Sequence, residues 1–138
     1  MATQQTSSTE YCARLINCAH LVLKLSHDEI KESYSDNPMY VAEYIEKGIT
    51  ENVIELLFDD EKATLSCTFD ENNNCNTSYI FLDNLDEMDN YITYLHDQYD
   101  YDYTLSCWVL LDSFISIKRT KDDIYVYPGP NRNLIARK

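Results

Sequence analysis

The sequence predicts an α+β domain with helices packed on one face of a mainly antiparallel sheet. Three observations carry this. Apolar residues recur at helical spacing through the N-terminal third, the period drops to two at Ala63, and a clear amphipathic helix precedes a C-terminal run of strands. The 138 residues suit one domain of the common ~100–150-residue size. With no internal repeat or low-complexity linker, residues 1–138 read as a single domain, with 1–6 and 131–138 as frayed ends.

Ser7-Ser8-Thr9-Glu10 has the form of a capping box, with Ser7 at the cap and Glu10 three positions on. Behind it Tyr11, Leu15, Cys18, Val22 and Leu25 form one helical stripe, widened by Ile16, Ala19 and Leu23. Ser26-His27-Asp28 reads as the end of this helix, with His27 placed favourably against the negative C-terminal dipole, although Asp28–Ser33 is also suited to begin another turn. Asn37-Pro38 is a good helix start, because proline's missing N–H costs nothing in the first turn. Tyr40, Val41, Tyr44 and Ile45 follow at helical spacing, and Gly48 is placed to stop the element in a left-handed conformation. Thr50 then caps a short helix through Val53, Ile54, Leu57 and Phe58. A strand is the competing assignment for 50–58, since Asp59-Asp60-Glu61 suits a helix C-terminus badly.

From Ala63, the residues Leu65, Cys67 and Phe69 alternate with Thr64, Ser66 and Thr68, as in a half-buried strand. Asp70–Asn74 is a turn by composition, and Cys75–Leu82 returns to complete an antiparallel hairpin. Asp83 caps a helix with Leu85, Met88, Ile92, Leu95 and Tyr99 on one face and Asp86, Asn90, Thr93 and Asp97 on the other. Residues 100–103 are a link. Thr104–Leu111, Ser113–Arg119 and Ile124–Tyr127 are strand candidates, the last two joined by a turn at 120–123. Pro128-Gly129-Pro130 then leads into the basic tail NRNLIARK.

The order of two or three helices, a hairpin, one helix and three strands resembles the cone-shaped nuclear-transport-factor-2-like superfamily. That resemblance implies a pocket, here one lined by tyrosines.

Charge narrows the function classes. The chain holds 24 acids and 11 bases, a formal charge of −13. A polyanion of this kind does not bind nucleic-acid phosphates directly. Cysteines 12, 18, 67, 75 and 107 form no CxxC pair, and their odd count with no visible leader reads as reduced thiols in a cytoplasmic protein. The longest apolar runs, such as Cys107–Leu111, fall far short of the ~18–20 residues of a bilayer span.

No catalytic or cofactor signature survives inspection. Asp70, Asn72 and Asn74 begin like a calcium loop, but Cys75 stands where its glycine belongs and Phe81 where its glutamate belongs. His96, Cys107 and Asp112 make a thiol triad only on paper. His20 reads as a packed residue and Trp108 as core. With two glycines in the chain there is no phosphate-cradling loop. No enzyme activity, cofactor or metal is expected.

The acids are unevenly spread. Residues 1–62 hold 12 acids and 5 bases, 63–117 hold 10 acids and no Lys or Arg, and 118–138 hold 2 acids and 6 bases. Asp97, Asp100 and Asp102 interleave with Tyr99, Tyr101 and Tyr103, with Asp86 and Glu87 nearby on the helix. Carboxylates pair strongly with Arg and Lys, and tyrosine offers contact area with few rotors to freeze. These eight residues are the expected contact patch for one basic protein.

In size, acidity, missing leader and the Asp97–Tyr103 segment, the chain resembles the small acidic immunity proteins of contact-dependent and polymorphic bacterial toxin systems. The resemblance implies a cytoplasmic, non-enzymatic inhibitor in the manner of an antitoxin. Its implied partner is a cognate toxin, a nuclease whose basic active site it occludes, with no direct contact to nucleic acid or membrane. Two alternatives stand beside it: a small-ligand enzyme or binding domain with a cone-shaped pocket, and a nucleic-acid mimic that inhibits several basic proteins.

Overall fold

A computed structural model describes residues 2–110, 113–118 and 123–128. The expected basic tail lies outside them, as do residues 120–122 of the turn expected at 120–123, whose Asp123 is instead the first residue of the last strand. Among the described residues the fold is α+β, with three α-helices and one eight-stranded antiparallel sheet. Helix α1 (Ala2–Leu21) runs into a 3₁₀ turn (Val22–Lys24) and helix α2 (His27–Ser33). Strands β1 (Met39–Glu46), β2 (Ile49–Phe58), β3 (Ala63–Phe69) and β4 (Cys75–Leu82) form a meander. Helix α3 (Met88–Gln98) leads to a second meander of β5 (Asp100–Asp102), β6 (Cys107–Val109), β7 (Ser113–Lys118) and β8 (Asp123–Pro128). Pairing of β8 with β4 joins the two, giving the order β1-β2-β3-β4-β8-β7-β6-β5.

Strand alternation assigns the two faces of the sheet. One row on the helix-covered face runs Leu56, Leu65, Ile80, Ile124 and Ile117 across five strands. The next runs Ile54, Cys67, Ser78, Val126, Ile115, Trp108 and Tyr101 across seven. Leu15, Ile16, Ala19 and Val22 of the N-terminal helical segment and Tyr91 and Leu95 of α3 fill the same core. Burial of such apolar surface is the main favourable term, at ~25 cal/mol per Å².

Two polar contacts hold α1 over the middle of the sheet. The fully buried Ser78 hydroxyl donates to the Ala19 carbonyl at 2.7 Å, satisfying a group that would be costly to bury alone. His20 Nδ1 lies 2.7 Å from the Ser113 hydroxyl, so His20 is packed as expected.

The β3–β4 hairpin matches its sequence expectation, and so does α3 over Met88–Gln98. Asp83 does not cap that helix, because a 3₁₀ turn (Leu85–Glu87) comes first, with Asn84 Oδ1 accepting from the Asp86 amide at 3.0 Å. The Asp70–Asn74 turn is as expected: Asp70 Oδ1 accepts from the Asn72 and Asn74 amides at 2.9 and 3.0 Å.

Several expectations are corrected. The helix expected after Asn37-Pro38 is β1, and 50–58 takes its competing assignment as β2. Gly48 is left-handed as expected, but φ is positive at both Lys47 and Gly48, which makes a two-residue hairpin turn instead of a helix stop. Helix α1 starts at Ala2, so Ser7 lies within it; no Gly or Pro upstream interrupts the helix there. His27 opens α2 behind the capping box of Ser26 and Glu29, so it sits at a positive helix end, with its ring 4.9 Å from Phe69. Asp100–Asp102 is a strand, and of the strand expected over Thr104–Leu111 the described residues 104–110 are strand only at β6, with Leu111 outside them. The cone resemblance assumed one hairpin before α3, where the chain places a four-stranded meander.

The face assignment predicts that Leu65→Ala costs about 2–5 kcal/mol in urea unfolding, as for other large-to-small core changes. Phe81→Ala, on the opposite face, should cost less than half as much; equal losses would mean the faces are misassigned. Burial raises the Cys12 thiol from 9.0 to about 11. The folded state therefore favours its protonated form, which contributes stability below pH 9 that is lost as pH rises toward 11. A Cys12→Ala variant should lose less stability than the parent over that window in pH-resolved thermal melts.

Candidate functional site

Strand β5 is three residues long, pairs with β6 alone and forms one edge of the sheet. Helix α3 delivers the chain to it. The Tyr99 amide closes the last turn on the Leu95 carbonyl at 2.9 Å, and Tyr99 itself is already extended. Alternation then turns Tyr101 toward α3 and Asp100 away.

The Tyr101 ring stands edge-on to Trp108 and to Tyr103, each at 4.9 Å. His96, in the last turn of α3, lies 5.2 Å from Trp108 and 5.9 Å from Tyr101. Trp108 Nε1 donates to His96 Nδ1 at 3.3 Å. That bond places the proton of neutral His96 on Nε2. Edge-to-face pairs of this kind contribute ~0.5–1.5 kcal/mol beyond area burial. The cluster is therefore a rigid aromatic end to the sheet, built on a buried Trp108 and finished by Tyr103, which is 83% exposed.

The eight expected contact residues divide. Asp97 and Asp100 are exposed and adjoin the ring-bearing residues in the chain, Asp100 on the opposite face of β5 from Tyr101, and no Lys or Arg among the described residues pairs with either. Tyr101 is half-buried and Tyr103 exposed. Asp102 is committed to local structure, since its Oδ1 accepts from the Thr104 and Leu105 amides at 2.9 and 3.0 Å and so folds the β5–β6 turn. Tyr99 is half-buried against the core, so the three tyrosines do not share one exposed side. Asp86 and Glu87 lie at the opposite end of α3. That helix has 11 residues, which at ~1.5 Å per residue is about 16 Å long. They sit at the positive helix end, where acids are favourable, without a side-chain capping bond, and Glu87 Oε1 accepts from Asn90 at 3.3 Å. His96 belongs to the site and was not expected there; nothing in its sequence neighbourhood announces the bond to Trp108.

Elsewhere, a depression of about 410 Å³ is lined by Arg14, Asn37, Phe58, Asp59, Asp60 and Glu61. Its chemistry is spent on structure: Arg14 Nη1 meets Glu61 Oε2 at 2.7 Å, and the Glu61 side chain is only 4% exposed. The cysteines form no disulfide. The Cys67 thiol is pushed up by its hydrogen bond to Cys75 and by burial. Among the described residues no group of three or more His, Cys, Asp or Glu is arranged to hold a metal ion. Among them, too, no helix is long and apolar enough to cross a membrane.

Asp102→Ala should lower stability by about 1–2 kcal/mol through its two orphaned amides. Tyr103→Ala should cost less, about 0.5 kcal/mol, since its exposed ring makes one edge-to-face pair, with Tyr101. Chemical denaturation of both variants checks this division between support and surface. No protein-family model matches the chain, and no curated protein or solved structure matches it either.

Proposed function

We propose that this protein is a non-enzymatic inhibitor, an immunity protein that acts in the cytoplasm by binding a cognate basic toxin. The observation that carries the proposal is that Asp97 and Asp100 are exposed, with no Lys or Arg among the described residues pairing with either, and adjoin in the chain the packed rings of His96, Tyr101 and Tyr103. They lie within a stretch, residues 63–117, that has no Lys or Arg of its own. Held rings close in the chain to exposed carboxylates suit a surface of Arg and Lys, because little side-chain entropy remains to be lost and charge-assisted bonds are strong. A nuclease presents such a surface to its substrate, so the inhibitor occupies it and excludes the nucleic acid. A pocket-bearing enzyme finds less support, since α1 and α3 pack directly onto the sheet rows that a cone-shaped pocket would expose.

The reading predicts that the gene stands beside one encoding a secreted toxin with a basic catalytic domain, and that the purified protein inhibits that domain. The triple variant Asp97→Lys, Asp100→Lys, Tyr103→Ala should weaken inhibition by about a hundredfold or more, as for hot-spot and buried charge changes. Asp86→Asn, at the far end of α3, should leave it within about threefold. Equal inhibition by the triple variant would sink the β5 surface as the contact. Equal binding to unrelated DNA-binding proteins would favour the nucleic-acid mimic.

A further inference from the structure

At the other edge of the sheet, β1 pairs with β2 alone over eight residues in unbroken register. The two-residue turn at Lys47-Gly48 makes Glu46↔Ile49 the closing hydrogen-bonded pair. Alternation then directs the N–H and C=O groups of Tyr40, Ala42 and Tyr44 to β2. The Leu57 amide bonded to the Pro38 carbonyl at 2.9 Å continues the same phase. Met39, Val41, Glu43 and Ile45 therefore point their backbone groups outward, along the free edge.

Side chains on both faces of this hairpin are bare. Val41 and Ile45 on one face, and Tyr40, Tyr44 and Ile49 on the other, are between 51% and 72% exposed. Natural edge strands are usually guarded by proline, a bulge, charged side chains or short length. Here, Met39–Glu46 contains no proline or lysine, has no bulge and spans eight residues. Its charged guard on the helix-side face, Glu43, is acidic, so it deters an acidic strand and not a basic one. The three-residue β5, by contrast, is guarded by its length.

Charge selects the occupant. Met39–Phe58 contains Glu43, Glu46, Glu51 and Glu55 and a single base, Lys47, and the register sets Tyr40 opposite Glu55 and Tyr44 opposite Glu51. A second copy of the chain would bring another formal charge of −13 to the same edge. A basic strand would instead place cations over the tyrosine rings and beside the glutamates.

We propose that β1 accepts, by strand addition, an extended segment of a partner protein in which Lys or Arg alternates with apolar residues. This rests on the β1 edge alone and holds whatever the β5 surface recognises. The probe is a capped ten-residue peptide of alternating lysine and valine, with an alternating glutamate–valine peptide as control. The readout is residue-resolved amide exchange. On saturation with the lysine peptide, the amides of Met39, Val41, Glu43 and Ile45 should slow by about tenfold or more, as they gain acceptors. Those of Tyr40, Ala42 and Tyr44 should be protected with and without peptide. Val41→Pro removes an outward N–H without touching the β1–β2 ladder and should abolish the effect. If that variant does not fold, Val41→Lys with Ile45→Lys should abolish it by repulsion. The proposal is overturned by unchanged exchange, by equal protection from the glutamate peptide, by outward amides already protected in the free protein, or by a concentration-dependent dimer.

Discussion

An eight-stranded sheet is wider than its helices can cover. Seven strand spacings of ~4.8 Å span about 34 Å, whereas a packed helix covers ~10 Å. Helix α1 lies over the middle strands β4 and β8, tied there by Ser78 and His20. Helix α3 reaches β5 and β6 through His96. The 3₁₀ turn and α2 lie against the β3–β4 hairpin, where the Cys75 amide meets the Leu25 carbonyl. Strand β1 is left without a helix. Core rows are consequently buried in the centre and become exposed along β1, so the same packing that stabilises the middle leaves the two edges as the chemically available parts.

Carboxylates follow the same geography. Where one is buried, as Glu61 is, the chain supplies Arg14 at 2.7 Å, because an unpaired buried charge costs several kcal/mol. Where they are exposed, at Asp97 and Asp100, the surrounding stretch of sequence, residues 63–117, supplies no base at all. Repulsion among unneutralised acids lowers the stability of the compact state. A cationic surface would relieve that repulsion, and the rings, already ordered by Trp108, lose little freedom on contact.

What the sequence disclosed depended on whether a pattern belonged to one period only. Leu65, Cys67 and Phe69 step by two, and Leu85, Met88, Ile92 and Leu95 by three and four, so β3 and α3 were legible. Tyr40 with Tyr44 and Val41 with Ile45 are four apart, a spacing that puts residues on one side of a helix and of a strand alike. Residues 53, 54, 57 and 58 repeat that ambiguity. Only the β-branched and aromatic content, and Lys47-Gly48 as a hairpin turn, favour strands there. In the candidate site, the acids and tyrosines were visible as composition. The division of labour among them was not, because Asp102 is committed to a turn and Tyr99 to the core by contacts that only the fold creates.

The claim at the centre is that this anionic, ring-bearing surface attracts a cationic protein. Its most direct measurement is the association rate of the intact protein with the basic toxin domain proposed as its partner, followed by stopped flow from low to high salt. Electrostatic steering predicts a fall of about tenfold or more between ~0.02 and ~0.5 M salt, with dissociation changing much less. An association rate indifferent to salt would contradict the account, leaving the carboxylates as a solvating coat.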